Sequence, residues 1–136
     1  MTKTIFEWTW LTENGERILF IKFSQTPKAT DYTDCFSQAL ADNRDKEFKM
    51  LCDVRLSHNM MNYDSDTAIL YESLSSLGIE TFAASLIVSD SLYHLKEKII
   101  NEFARINRIP FVMKSFNNYD DARKWLADFT FPTHKK

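Results

Sequence analysis

Phe48–Val54, Phe-Lys-Met-Leu-Cys-Asp-Val, constrains this chain more than any other stretch. It is too short for a helix and too apolar for a loop. At a period of two, Phe48, Met50, Cys52 and Val54 fall on one face, while Lys49, Leu51 and Asp53 fall on the other. This compact, mostly apolar run predicts the middle strand of a sheet. Its carboxyl end carries Asp53 and Arg55. In α/β sheets ligands gather at that end, so these two residues are the first site candidates.

Around this strand the pattern alternates. Ile5–Leu11 sets Phe6, Trp8 and Trp10 on one side and Glu7 and Thr9 on the other, which predicts a strand. Asn14-Gly15 tolerates positive φ at both positions and predicts a tight hairpin turn. Arg17–Ser24 is the return strand, with Leu19, Ile21 and Phe23 on one face. After a turn at Pro27, Thr30 or Asp31 caps a helix that runs to about Asp42, with Tyr32, Cys35, Phe36, Ala39 and Leu40 inward. Asn43–Lys46 is a polar loop, and Leu56–Asn62 is another. Asn62, Asp64 or Ser65 opens a second helix with Leu70, Tyr71, Leu74 and Leu77 buried, closed by Gly78 as a left-handed cap. Thr81–Val88 is a near-continuous apolar run and reads as a strand covered on both faces. Asp90 or Ser91 caps a third helix, with Leu92, Leu95, Ile99, Phe103 and Ile106 inward, stopped before Pro110. Ile109–Phe116 is the last strand. Asn118 caps a fourth helix, with Asp121 in its first turn and Tyr119, Ala122, Trp125, Leu126 and Phe129 inward.

The expected order is β-β-α-β-α-β-α-β-α: an N-terminal hairpin, then alternating units on a mostly parallel five-stranded sheet with four helices. At 136 residues the chain reads as one domain over 1–132 with a frayed tail at 133–136. A domain of this size buries roughly 68–70% of its unfolded surface, enough for a core without staples. Eleven Phe, five Tyr and three Trp predict that this core is rich in rings. Two glycines argue against a glycine-rich phosphate loop. A net charge of −2 argues against nucleic acid, which needs a basic stripe. No apolar run approaches the roughly 20 residues of a membrane span, and the amino terminus has no signal-peptide pattern, so the expected location is the cytoplasm. Cys35 and Cys52 then read as buried free thiols rather than a redox pair.

Four stretches together resemble a known family: Thr30-Asp31-Tyr32, Leu51-Cys52-Asp53-Val54-Arg55, Val88-Ser89-Asp90-Ser91, and Phe116 followed by Asp120-Asp121-Ala122-Arg123-Lys124-Trp125-Leu126. The chain looks like the small bacterial STAS-like (SpoIIAA-like) proteins, related in fold to anti-sigma-factor antagonists and to lipid-carrying SEC14 domains. The resemblance implies a helically wound β-α array more firmly than a role. It also implies a phosphorylatable serine after the third strand, for which Asp64-Ser65 is the nearest match. Here the chain departs from the pattern: the loop from Asp53 to Asp64 is longer, and Asp66-Thr67-Ala68 replaces the glycines. That argues against regulation at Ser65.

His58, His94 and His134 are too scattered for a local metal motif, and no cofactor is implied. His58 with Asp64 and Asp66 reads as a solvated loop. Ser57 and His58 are neighbours on an extended segment and point apart, which argues against a nucleophile–base pair. Asp64 and Asp66 suit a helix amino terminus. Asp53 and Arg55 read as an ion pair tying the strand end to a neighbouring loop; the functional alternative is an anion or peptide site. Phe6, Trp8 and Trp10 either pack under helices or form a partner surface. The leading expectation is a non-enzymatic interaction or regulatory module, a homodimer or bound to another protein. The alternatives are a carrier of a small apolar, lipid-like ligand, and then an enzyme of unknown type.

Overall fold

The computed structural model describes residues 5–25, 27–56, 63–89 and 92–131, with the side chains of 63–66 and 92–96 left aside. The elements are β1 (Phe6–Glu13), β2 (Glu16–Phe23), α1 (Ala29–Ala39), β3 (Glu47–Asp53), α2 (Tyr63–Ser76), β4 (Thr81–Ile87), α3 (Leu92–Ile106), β5 (Phe111–Phe116) and α4 (Tyr119–Asp128). The strands lie side by side in sequence order. β1 is antiparallel to β2, and every other pair is parallel.

A sheet that advances in one direction through right-handed crossovers must place all its connecting helices on one face. The burial follows that rule. Phe6, Leu19, Ile21 and Phe23 of the hairpin, Phe48, Met50 and Cys52 of β3, and Phe82, Ala84 and Leu86 of β4 form one large core with α1, α2 and α3. The opposite face is covered by α4, whose Ala122 and Leu126 pack with Ile18, Leu51, Ala83 and Ile87. Both faces of β3 are therefore buried. The ring surplus is used in the larger core, where Phe6, Phe23, Tyr32, Phe36 and Phe48 touch in sequence at centroid distances of 4.9–6.4 Å.

Local chemistry explains the boundaries. Asn14 (φ 52°) and Gly15 (φ 79°) form the two-residue turn with both residues left-handed that matches strand twist. Gly78 (φ 91°) ends α2, with Ile79 N–H donating to Leu74 C=O and Gly78 N–H to Ser75 C=O. This Schellman closure buries Ile79 against Leu74. α3 ends in the same way with Arg108 at φ 56°, Ile109 N–H reaching Ala104 C=O, and Pro110 preventing continuation. Asn118 Oδ1 accepts from Asp121 N–H at 2.8 Å, the expected cap of α4.

Two expectations are corrected. α1 is capped at Lys28, not Thr30 or Asp31. Asp31 sits inside the first turn, where its carboxylate accepts Lys28 N–H at 2.7 Å. α3 is also turned relative to the predicted stripe: Ile99 and Ile106 are exposed, and Ile100 and Ala104 are buried instead. The rotation brings Glu97 and Asn101, one turn apart, against β5.

Ser85 of β4 is fully buried in the layer beneath α4, and its hydroxyl has no hydrogen-bond partner among the described residues. A buried unpaired hydroxyl is a net cost. Ser85→Ala is therefore expected to raise stability by about 1 kcal/mol, read as a higher urea midpoint at unchanged slope. A lower midpoint would mean that the hydroxyl is satisfied by a trapped water.

Candidate functional site

Asp53 and Arg55 meet at the carboxyl end of β3. The Asp53 side chain is 5% exposed and that of Arg55 is 47% exposed. Arg55 Nε donates to Asp53 Oδ1 at 3.0 Å and Nη2 to Oδ2 at 2.7 Å, a two-pronged pair of the strong kind. Arg55 N–H adds a third bond to Oδ1 at 3.1 Å. Burial pushes the Asp53 carboxyl up, but the Arg55 hydrogen bonds and charge, with Lys22 beside it on β2, outweigh burial and hold it below the ordinary carboxylate value. The carboxylate is thus bound within its own chain turn. The tie to the neighbouring loop runs through the backbone: Ser89 Oγ donates to Arg55 C=O at 3.0 Å.

The other sequence candidates are not assembled around this pair. Ser57 and His58 lie outside the described residues, as do Asp90, Ser91 and His134. Asp64 and Ser65 stand in the first turn of α2, and His94 belongs to α3, with side chains outside the description. Among the described residues, no group of three or more His, Cys, Asp or Glu could hold a metal ion. Cys35 and Cys52 are free and buried. Burial pushes the Cys35 thiol up to about 12. Burial also pushes Cys52 well up, against a hydrogen bond from the Tyr32 hydroxyl. Both are poor nucleophiles in that state.

Lys49, on the face of β3 with Leu51 and Asp53, carried no role in the sequence reading. It is 4% exposed. Its Nζ donates to Phe129 C=O at 2.8 Å and pairs with Glu16 Oε2 at 2.8 Å. The signal was a lysine inside a strand with both faces apolar: such a charge must find partners. Here it meets the carbonyl end of α4, where the helix dipole favours a cation. Arg123 of α4 binds Glu13 and reaches the Tyr119 hydroxyl. Two cations thus fasten α4 to the sheet.

The two edges of the sheet are finished differently. In β5 the outward backbone groups belong to Phe111, whose N–H donates to Ile109 C=O, and to Met113 and Ser115. Asn101 Nδ2 donates to Met113 C=O at 2.8 Å, and Asn101 Oδ1 accepts Met113 N–H at 2.9 Å. Glu97 takes the N–H and hydroxyl of Ser115. α3 therefore closes that edge with side chains. At the other edge, Ser24 N–H donates to Ile5 C=O, and the register pairs Glu7 with Lys22 and Thr9 with Phe20. By the alternation of an antiparallel ladder, the backbone groups of Phe6, Trp8, Trp10 and Thr12 point away from β2. Among the described residues nothing pairs with them. Phe6 is buried under the helices, while Trp8 and Trp10 are half-buried at the rim. Trp8 Nε1 donates to Gln38 of α1 at 3.1 Å, and the Arg17 guanidinium stacks on Trp10 at 4.1 Å.

A hairpin leading into a one-directional parallel array, with three helices on one face and a C-terminal helix on the other, defines the STAS-like, or SpoIIAA-like, class of α/β fold. Within that class the chain is similar to an uncharacterised protein of the DUF3478 family, with a SpoIIAA-like fold, from Shewanella loihica PV-4: TM-score 0.61, 19% identity, 93% of this chain and 98% of that chain covered. Likeness at that identity establishes the fold. No protein-family model and no curated protein matches the chain. Among the described residues, no helix is long and apolar enough to cross a membrane.

Proposed function

We propose that this chain is a non-enzymatic interaction module that engages a protein partner along the free edge of β1. The observation that carries the reading is the asymmetry of the two edges. The β5 edge is closed by Asn101 and Glu97, whereas β1 presents the outward groups of Phe6, Trp8, Trp10 and Thr12 beside two half-buried indoles. A partner strand added there gains main-chain hydrogen bonds, and the rings supply side-chain specificity. The pair first suspected of chemistry, Asp53 with Arg55, is engaged in holding the fold, as is the buried Lys49 with Glu16. The buried thiols fit the reducing cytoplasm expected from the sequence.

Photo-crosslinking residues placed at Thr12 on one edge and at Val112, exposed on β5, test this in the source cells. Adducts, to a foreign protein or to the chain itself, are expected from Thr12 and not from Val112. Equal yields from both, or none from Thr12, would remove the reading.

A second reading is kept by one observation. An apolar groove of about 400 Å³ runs along Phe82, Ile109, Pro110, Phe111, Phe129 and Phe131. That volume is at the lower end of small-molecule sites and would suit a small apolar ligand. Native mass spectrometry decides it: a co-purified hydrophobic compound lost on Phe111→Asp favours a carrier, and repeated bare protein rejects one.

A further inference from the structure

We infer that the partner of β1 is β1 of a second copy, paired antiparallel about a two-fold axis through Thr9. This rests on β1 being the interaction edge and goes further by naming the occupant and the register. Phe6, Trp8, Trp10 and Thr12 carry the outward groups, so only an axis that sets these residues opposite one another makes hydrogen bonds. With the axis at Thr9, Phe6 meets Thr12 of the second copy and Trp8 meets its Trp10, so all four residues of each copy make both their bonds. With the axis at Trp8, Thr12 meets no partner among the described residues. With the axis at Trp10, Phe6 is left unused and Glu7 is set directly opposite Glu13, a like-charge pair.

Side chains agree with the Thr9 register. On the α4 side Glu7 faces Leu11, Glu13 faces Ile5 and Thr9 faces Thr9, so no like charges oppose. Each carboxylate also has a cation of its own chain at hand: Arg123 binds Glu13, and Lys22 stands beside Glu7 in the ladder. On the helix side the indoles of Trp8 and Trp10 stack in a row across the junction, adding aromatic contact where both are half-buried alone. The only edge charges of β1, Glu7 and Glu13, are the two just matched to cations of their own chain. The strand has no Pro, Gly or Lys, and its register runs from Phe6↔Phe23 to Glu13↔Glu16 without a bulge.

The geometry also explains why association stops at two. Joining β1 to β1 leaves a continuous sheet whose outer edges are both β5, and α3 closes each of them through Asn101 and Glu97. The contact is isologous and closed, not a route to a fibre.

Sedimentation of the full chain and cysteine crosslinking test the inference together. Wild type is expected to be a dimer at micromolar concentration. Thr9→Cys places its thiol in the close, non-hydrogen-bonded pair on the axis, within disulfide reach, while Glu7→Cys faces Leu11. Under mild oxidation Thr9→Cys is expected to give at least about tenfold more crosslinked dimer than Glu7→Cys. Circular dichroism confirms that each variant folds, and Cys35 and Cys52 are buried in both. A wild-type monomer overturns self-pairing, and the Thr12 photo-adducts to a foreign protein then still decide whether β1 is an interaction edge. A dimer in which Thr9→Cys fails to crosslink, or crosslinks no better than Glu7→Cys, overturns the register and with it the inference.

Discussion

Replacing Lys49 by alanine is expected to cost about 3 kcal/mol, the largest single effect at a polar position of this fold. Lys49 is on the α4 face of the central strand and 4% exposed, so its methylene stem is part of the packing. Its ammonium ends on Phe129 C=O and Glu16. Alanine removes the stem, leaves the Phe129 carbonyl without a donor and takes the cation from the end of α4. Glu16, with its side chain 58% exposed, can turn to water, so its loss adds little. Lys49→Met separates the contributions: it keeps the stem and drops the polar tie, and is expected to cost about 1–2 kcal/mol. Urea denaturation of the three proteins decides it. Equal midpoints for wild type and Lys49→Ala would mean that the Lys49 tie adds nothing to the apolar contacts and the Arg123–Glu13 pair that hold α4.

Asp53→Ala is expected to cost about 2 kcal/mol. Three hydrogen bonds are lost, including the one that holds Arg55 N–H. The guanidinium is half exposed and can reach water, which keeps the cost below that of stranding a fully buried charge. The pH dependence has a definite sign. The folded carboxyl lies below its unfolded value, so the unfolded state binds the proton first as pH falls. The contribution of Asp53 is complete above the unfolded value of about 4 and is lost as pH drops through the lower folded value. The stability gap between wild type and Asp53→Ala should therefore be flat from pH 7 to about 5 and close in more acidic solution. A midpoint unchanged or raised at pH 7, with the same slope, would instead mark Asp53 as a residue kept for binding at the expense of stability.

Much of the fold was legible because local rules and the global fold agree. The period-two run of β3, the Asn14-Gly15 turn, the Gly78 cap and the Asn118 cap each state a backbone conformation that the residues themselves require. The alternation of strands and helices then leaves few topologies, and right-handed crossovers leave fewer. Asp53 and Arg55 were legible as a pair because two residues apart on a strand they share a side. Other features were decided by distant parts of the chain. α3 is amphipathic over a wide arc, and its sequence does not say whether Ile99 or Ile100 faces in. The exposed backbone of β5 decides it, because burying that edge requires Asn101 and Glu97 to turn toward it. Lys49 gains its role from a carbonyl eighty positions away, and no local pattern encodes that meeting. Trp8 and Trp10 read equally well as core or surface, since alternation fixes which rings share a face but not what covers it. Only the assembled sheet, with α1 laid over one face and β1 left at the edge, made them a half-buried rim beside backbone groups that have no partner among the described residues.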